Sequence, residues 1–236
     1  MQSQPVEDKT YQRMDEVCDN LERYVREANE QGRPDSPARH FHVATINRLR
    51  SLGLVAIFDD NLYFEYLYAT LAAWGMDSRG AKLKGFDSFV RGIRSNREQI
   101  VNLSTYSLVS LSEQDKDFIM RVILNIWQVI PALGVAQGKS QLVAGSKTLH
   151  HLLPDLVPPI DRHYTLKFFF NRTNITNAKS DFAEVFINYL YIFEAAEEII
   201  KKIVGGANPL NSSVTKVIDN AIIAYQAKGK RSTWTS

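Results

Sequence analysis

The sequence has a single cysteine, Cys18, among its 236 residues. One thiol cannot form an internal disulfide, which excludes a disulfide-stabilised secreted fold and favours a reducing compartment. No run of about 18 apolar residues is present, so no membrane-spanning helix is expected. The first residues, MQSQPVEDKTYQR, lack the basic segment and apolar core of a secretory signal. We therefore expect a soluble, cytoplasmic protein.

Motifs that bind metals or nucleotides are also missing. His150 and His151 are adjacent, and neighbours on a helix point about 100° apart, so they cannot easily share one ion. With His163 they form no His-x-x-x-His pair, and no Cys-x-x-Cys exists. Gly138-Lys139-Ser140 lacks the upstream glycine of a P-loop. We expect neither a metal nor a cofactor.

What is present is an ordinary globular composition, with 44% hydrophobic and 23% charged residues. A chain of this length can bury a sizeable core. The formal net charge of +2 is too small to indicate nucleic-acid binding, which would need a clustered basic face.

The apolar residues recur at helical spacing, and no stretch alternates with period 2 long enough to be a strand. Ser36-Pro37 and Ser112-Glu113-Gln114-Asp115 stand at predicted helix starts. The residue 61–74 segment, NLYFEYLYATLAAW, is apolar on most sides and predicts a buried helix. The pattern predicts one all-α domain over residues 1–236, with two lobes around a cleft as one possible arrangement. The predicted helices include residues 9–30, 37–53, 61–74, 112–133, 180–204 and 212–227.

The stretch LVAGSKTLHHLLPDLVPPIDRHYT, residues 142–165, is the hardest to explain as packing alone. Residues 143–146 predict a tight turn, with Ser146 as the cap of a helix that begins at Lys147. Backbone N–H groups of such a turn, together with the helix dipole, can hold a phosphate near Lys139. The alternative is a turn that only joins two packed helices, with Lys147 in solvent.

Asp161 follows two prolines and is predicted to cap the helix from Arg162 toward Phe170. A capping aspartate stabilises a helix by about 0.5–2 kcal/mol, which is reason enough for it to be there. The same position also suits a fixed carboxylate that stabilises positive charge in a cleft. Asparagine caps about as well as aspartate, so Asp161→Asn is expected to leave the stability nearly unchanged.

This order of parts resembles the helix-hairpin-helix DNA glycosylase superfamily, of the endonuclease III and adenine glycosylase type. The segment FEYLYATLAAWGMDSRGAKL is similar to the early buried helix of that superfamily. VAGSKT is similar to its glycine hairpin followed by Lys-Thr, and PPIDRH is similar to its aspartate-bearing crossing. The likeness covers residues 61–172 and leaves residues 1–60 and 173–236 as helical flanks. The full Leu-Pro-Gly-x-Gly hairpin is absent.

The resemblance implies a helix-hairpin-helix-like fold that binds double-stranded DNA and excises bases as a glycosylase and lyase. Lys147 falls on the Schiff-base lysine and Asp161 on the essential aspartate. Gly145 falls on the hairpin glycine whose backbone contacts DNA phosphate, beside Ser146 and Lys139.

Base excision requires that the base leave the duplex and enter a cleft with aromatic walls. Tyr66, Trp74, Trp127 and Tyr164 are the candidates for those walls, although aromatic residues in apolar helices are also typical of a core. The alternative function is a non-catalytic helical protein that binds a protein or nucleic-acid partner. The observation that separates the two is whether Lys147 and Asp161 meet in one open cleft.

Overall fold

The structure, a computed structural model, describes residues 6–30, 36–76 and 82–232. In this part of the chain the predicted all-α class is confirmed, because the β-structure there is limited to one isolated bridge between Leu83 and Ala136. Two five-residue π-helical segments, Ala72–Met76 and Arg162–Leu166, directly follow α5 and precede α11. The α-helices are α1 (Val6–Asp19), α2 (Leu21–Glu30), α3 (Pro37–Leu52), α4 (Leu54–Ile57), α5 (Asn61–Leu71), α6 (Phe86–Arg94), α7 (Arg97–Leu103), α8 (Leu108–Leu111), α9 (Lys116–Ala132), α10 (Leu142–Leu152), α11 (Lys167–Phe170), α12 (Ala178–Ala195), α13 (Glu197–Val204) and α14 (Val214–Ser232).

Several helix ends follow directly from local chemistry. Pro37 occupies the first turn of α3, where its missing N–H costs nothing, and Gly53 ends the helix with a φ of 79°. Asp115 caps α9 by accepting a hydrogen bond from the Phe118 N–H at 2.8 Å. The start and end of α3 agree with the sequence-based prediction. The predicted start of α9 at Ser112 is three residues too early, because Ser112 ends α8 and Asp115 caps α9.

Two predicted helices are each broken in two. The residue 9–30 segment divides at Asn20 into α1 and α2, and the residue 180–204 segment divides at Ala196 into α12 and α13. Ala196 leaves the helical region with a φ of −131°. An apolar stripe continues through a one-residue break, so periodicity alone does not reveal it.

The core is built around α5 and α10. Tyr63, Phe64 and Leu67 of α5 are fully buried, as predicted for the 61–74 segment. Helix α10 is buried along its whole length, including its polar residues, and it packs on α9 and α5. Any polar group on α10 must therefore find its partners inside the protein.

The C-terminal helix α14 closes one side of this core. It packs on α2, on α12 and on the Arg162–Leu166 segment, which follows Asp161 in the chain. Its inner face carries buried apolar residues such as Val217 and Ile218 together with the charged Lys216 and Asp219. Within the described ranges, no helix is long and apolar enough to cross a membrane.

Candidate functional site

Lys147 and Asp161 line the same cleft, which has a volume of about 270 Å³. Lys147 comes from the second turn of α10, and Asp161 immediately precedes the Arg162–Leu166 segment. The side chains that line this cleft are Trp74, Lys147, Pro159, Asp161, Tyr164, Lys216, Asp219 and Ile223. The cleft thus has two lysines, two aspartates and two aromatic rings.

Lys147 is almost completely buried, with 7% of its surface exposed, because it lies in the middle of α10. Its Nζ donates a hydrogen bond to Asp161 Oδ2 at 2.8 Å. The ammonium also lies 5.5 Å from the centroid of the Trp74 ring, in cation–π geometry. The alternative in which Lys147 is merely solvated is therefore wrong.

Asp161 has separate partners for its two carboxylate oxygens. Oδ1 accepts hydrogen bonds from the backbone N–H of His163 at 2.8 Å and of Tyr164 at 3.3 Å, which confirms the predicted helix cap. Oδ2 accepts from Lys147. Burial alone would raise the pKa of Asp161, but the Lys147 charge and these hydrogen bonds outweigh it, so the pKa lies below its usual value. The carboxylate is held ionised and fixed in orientation.

A buried serine fixes the crossing that carries Asp161 against α10. Ser146 Oγ accepts a hydrogen bond from the Ile160 N–H at 3.2 Å and donates to the Val143 carbonyl oxygen. The Asp161 N–H in turn donates to Thr165 Oγ1 at 3.0 Å. These bonds hold the crossing against α10, which explains why a buried helix and a proline-containing crossing follow one another in residues 142–165.

The predicted phosphate-binding turn is wrong for two of its three residues. Gly145 and Ser146 lie inside α10, and the Gly145 N–H already donates to the Gln141 carbonyl oxygen at 2.7 Å. A Cβ on Gly145 would be 2.7 Å from the backbone oxygen of Ile130, so the glycine serves the close approach of α10 to α9. Ser146 is fully buried and cannot contact a phosphate. Lys139 is exposed in the connection before α10, and its phosphate role stays a prediction.

Two of the four predicted aromatic walls belong to the cleft. Trp74 and Tyr164 line it. Tyr66 and Trp127 are not among its lining side chains. Trp127 packs on the core, with its ring centroid 6.1 Å from that of Phe182, as expected for an aromatic residue at helical spacing.

A second ion pair in the cleft was missed by the sequence-based reasoning. Lys216 Nζ of α14 lies 2.6 Å from Asp219 Oδ2, and both side chains are at most 10% exposed. The Lys216 ammonium lies 5.7 Å from the same Trp74 ring that Lys147 approaches. Its signal in the sequence was a pair of opposite charges three residues apart on the apolar face of the 212–227 helix.

The histidines of residues 150–163 lie in two different environments. His150 and His151 are both fully buried, His163 is exposed, and His42 of α3 joins the buried pair. The described residues include no group of three or more His, Cys, Asp or Glu side chains that could hold a metal ion. The buried rings instead form hydrogen bonds with one another and with backbone carbonyls.

Comparison of the chain with protein-family models, with curated proteins and with solved structures found no match. Because a fold alone does not determine a function, the function has to be argued from the cleft.

Proposed function

We propose that the chain binds DNA and that the cleft catalyses base excision, as an N-glycosylase with lyase activity. The observation that carries the proposal is the 2.8 Å contact between Lys147 Nζ and Asp161 Oδ2 in a cleft walled by Trp74 and Tyr164. Cleavage of a glycosidic bond needs a fixed negative charge beside the sugar and a nucleophile within reach of its C1′. This cleft offers one residue for each role.

In the proposed reaction, Lys147 gives a proton to water, and Asp161 beside it stays a carboxylate. The neutral amine attacks C1′, the bond from C1′ to the base breaks, and the base leaves with the electron pair and takes a proton from water. The Asp161 carboxylate stabilises the positive charge that develops on the sugar. The C1′–O4′ bond then breaks, the attached nitrogen passes a proton to O4′, and a protonated imine to Lys147 remains. Loss of a C2′ proton to Asp161 expels the 3′-phosphate with its electron pair and cleaves the strand.

A second candidate is a helical protein that binds a protein or nucleic-acid partner without chemistry. It is favoured by the near-complete burial of Lys147 and by the capping contacts of Asp161, both of which a purely structural ion pair would show. The sequence-based criterion, convergence on one cleft, is met by both residues. Only a test for the covalent intermediate separates the two candidates.

The test is borohydride trapping on a duplex that contains an abasic site. The wild-type chain is expected to form a covalent adduct, and Lys147→Arg is expected to form none. Arginine retains the positive charge beside Asp161 but cannot be deprotonated to form an imine. Lys179→Ala, which removes an exposed lysine on α12, serves as the matched control and should trap as well as wild type.

Absence of any adduct with the wild-type chain would remove the lyase activity and favour the second candidate. Equal trapping by Lys147→Arg would show that another amine reacts.

A further inference from the structure

Beside the cleft lies a smaller cavity of about 130 Å³, which we call the chamber. Trp74 and Lys216 line both cavities, so the two adjoin at these side chains. His42, Asn29 and Asn220 also line the chamber. Polar groups therefore continue from the proposed site into a second pocket.

Two polar atoms of the chamber lack a hydrogen-bond partner in the described part of the chain. These atoms are His42 Nε2 and Asn29 Oδ1. His42 is only 2% exposed, so bulk water does not satisfy its ring nitrogen. A buried polar atom without a partner costs free energy, and it commonly marks the place of a molecule that pairs with it.

The surrounding hydrogen bonds determine which nitrogen of His42 carries hydrogen. His151 Nδ1 lies 2.8 Å from the Lys147 carbonyl oxygen, which can only accept, so this Nδ1 is the donor. Burial lowers the pKa of His151 to about 4, so at neutral pH its Nε2 has only a lone pair. His42 Nδ1 lies 3.1 Å from that Nε2 and must donate to it. Burial also holds the pKa of His42 well below its usual value, so its Nε2 is a bare acceptor.

Both unpartnered atoms are thus acceptors, and their partner must be a donor. We propose that the chamber binds the hydrogen-bond-donating edge of a neutral, planar molecule, with donors on His42 Nε2 and Asn29 Oδ1 and with its ring beside Trp74. A cation is disfavoured because Lys216 and Arg39 also line the chamber. The chemical class is a nucleobase with an exocyclic amino group. The choice of a nucleobase rests on the proposed function, whereas the need for donors rests on the histidine network.

Matched ligands test the inference on the wild-type chain. One pair is 9-methyladenine, whose only donors are on its amino group, and 9-methylpurine, which has no donor. The second pair is 1-methylcytosine and 1-methyl-2-pyrimidinone. We expect saturable binding of at least one amino-bearing base, seen as a shift of the His42 Nε2 resonance in nitrogen-15 spectra. The donor-free partner should bind at least about tenfold more weakly, because it leaves the buried acceptors unpaired.

Two variants test whether His42 causes the preference for amino-bearing ligands. His42→Phe keeps a ring but removes one of the two acceptors, so the preference for the amino-bearing ligand should shrink to what Asn29 Oδ1 alone supplies. His40→Phe, at an exposed position of α3, should retain the preference. The ligand comparison on wild type stands even if His42→Phe does not fold.

Equal binding within each ligand pair, or no binding of any amino-bearing base, would overturn the inference. So would stoichiometric capture of Zn²⁺ at the same Nε2 in place of a base. Base binding does not need the lysine chemistry, so its failure and the failure of borohydride trapping are separate results. Binding without trapping would remove the proposed activity and leave the donor requirement in place.

Discussion

Asp161 has two structural roles. Its Oδ1 accepts a hydrogen bond from the His163 N–H at the helix start, and its Oδ2 accepts one from Lys147 Nζ. Asparagine can replace the first contact but not the second. The Lys147 side chain is only 9% exposed, so loss of its counter-charge leaves a nearly buried ammonium unpaired. The sequence-based expectation that Asp161→Asn is silent for stability considered only the cap, and the ion pair changes it.

We predict that Asp161→Asn lowers the free energy of unfolding by roughly 1–3 kcal/mol and reduces any glycosylase rate by about 10²–10³. The double variant Lys147→Gln/Asp161→Asn should recover most of the lost stability, because no unpaired charge remains, but no activity. Urea unfolding and single-turnover excision measure the two effects. A single variant as stable as wild type would show that Lys147 does not depend on Asp161 for its charge balance.

Helix α10 owes its position to the absence of a side chain at Gly145. The backbone oxygen of Ile130 would lie 2.7 Å from a Cβ at this position, and a backbone atom cannot rotate away as a side chain can. The helices α9 and α10 would have to separate, and Lys147 would move with α10. The spacing between two helices thus controls the geometry of the cleft.

Gly145→Ala is predicted to destabilise the protein by up to roughly 2 kcal/mol, because a contact this short with a backbone atom belongs at the upper end of the cost of overpacking. Overpacking typically costs about 1–3 kcal/mol, and the better helix propensity of alanine offsets about 1 kcal/mol of it. Gly205→Ala is the control, because its nearest contact is an ordinary 3.4 Å and its effect should stay within about 0.5 kcal/mol. Chemical denaturation of both variants makes the comparison. Equal stabilities would contradict the close approach of α10 to α9.

Helix starts were predictable from sequence where a local cap decides them, as at Pro37 and Asp161. Gly145 was misassigned to a turn because its role depends on Ile130, a residue of another helix. The burial of Lys147 depends on a partner supplied by the proline crossing. Lys216 reaches the cleft only because α14 packs beside that crossing. Tertiary packing, which leaves no periodic signal, sets these three features.

The buried histidines make the stability of the entire chain depend on pH. His42, His150 and His151 are neutral when folded, because burial holds their pKa values below the usual range. In the unfolded chain their pKa values are near 6.5. Below that pH the unfolded state binds protons that the folded state does not, so stability is complete above about pH 6.5 and falls as the pH falls.

We predict that the free energy of unfolding decreases between pH 7.5 and pH 5.5, with a slope of at most about 1.4 kcal/mol per pH unit for each of these histidines. His150→Gln should reduce the slope, because it removes one such group. His40→Gln should not, because His40 is exposed in the folded chain. Urea titrations across this range test the prediction, and a flat profile would show that the rings can be charged when folded.

The residues that line the cleft are far apart in the sequence, so they are synthesised at different times. Trp74 emerges from the ribosome early, Lys147 and Asp161 follow, and Lys216 and Asp219 come only with α14. A nascent chain that has exposed residues only up to α13 therefore has the proposed catalytic pair but lacks one wall of its cleft. Domains generally fold as units, so the cleft is complete only once α14 has been made and has packed against the rest of the chain. An unfinished chain therefore lacks the side of the cleft that carries Lys216 and Asp219.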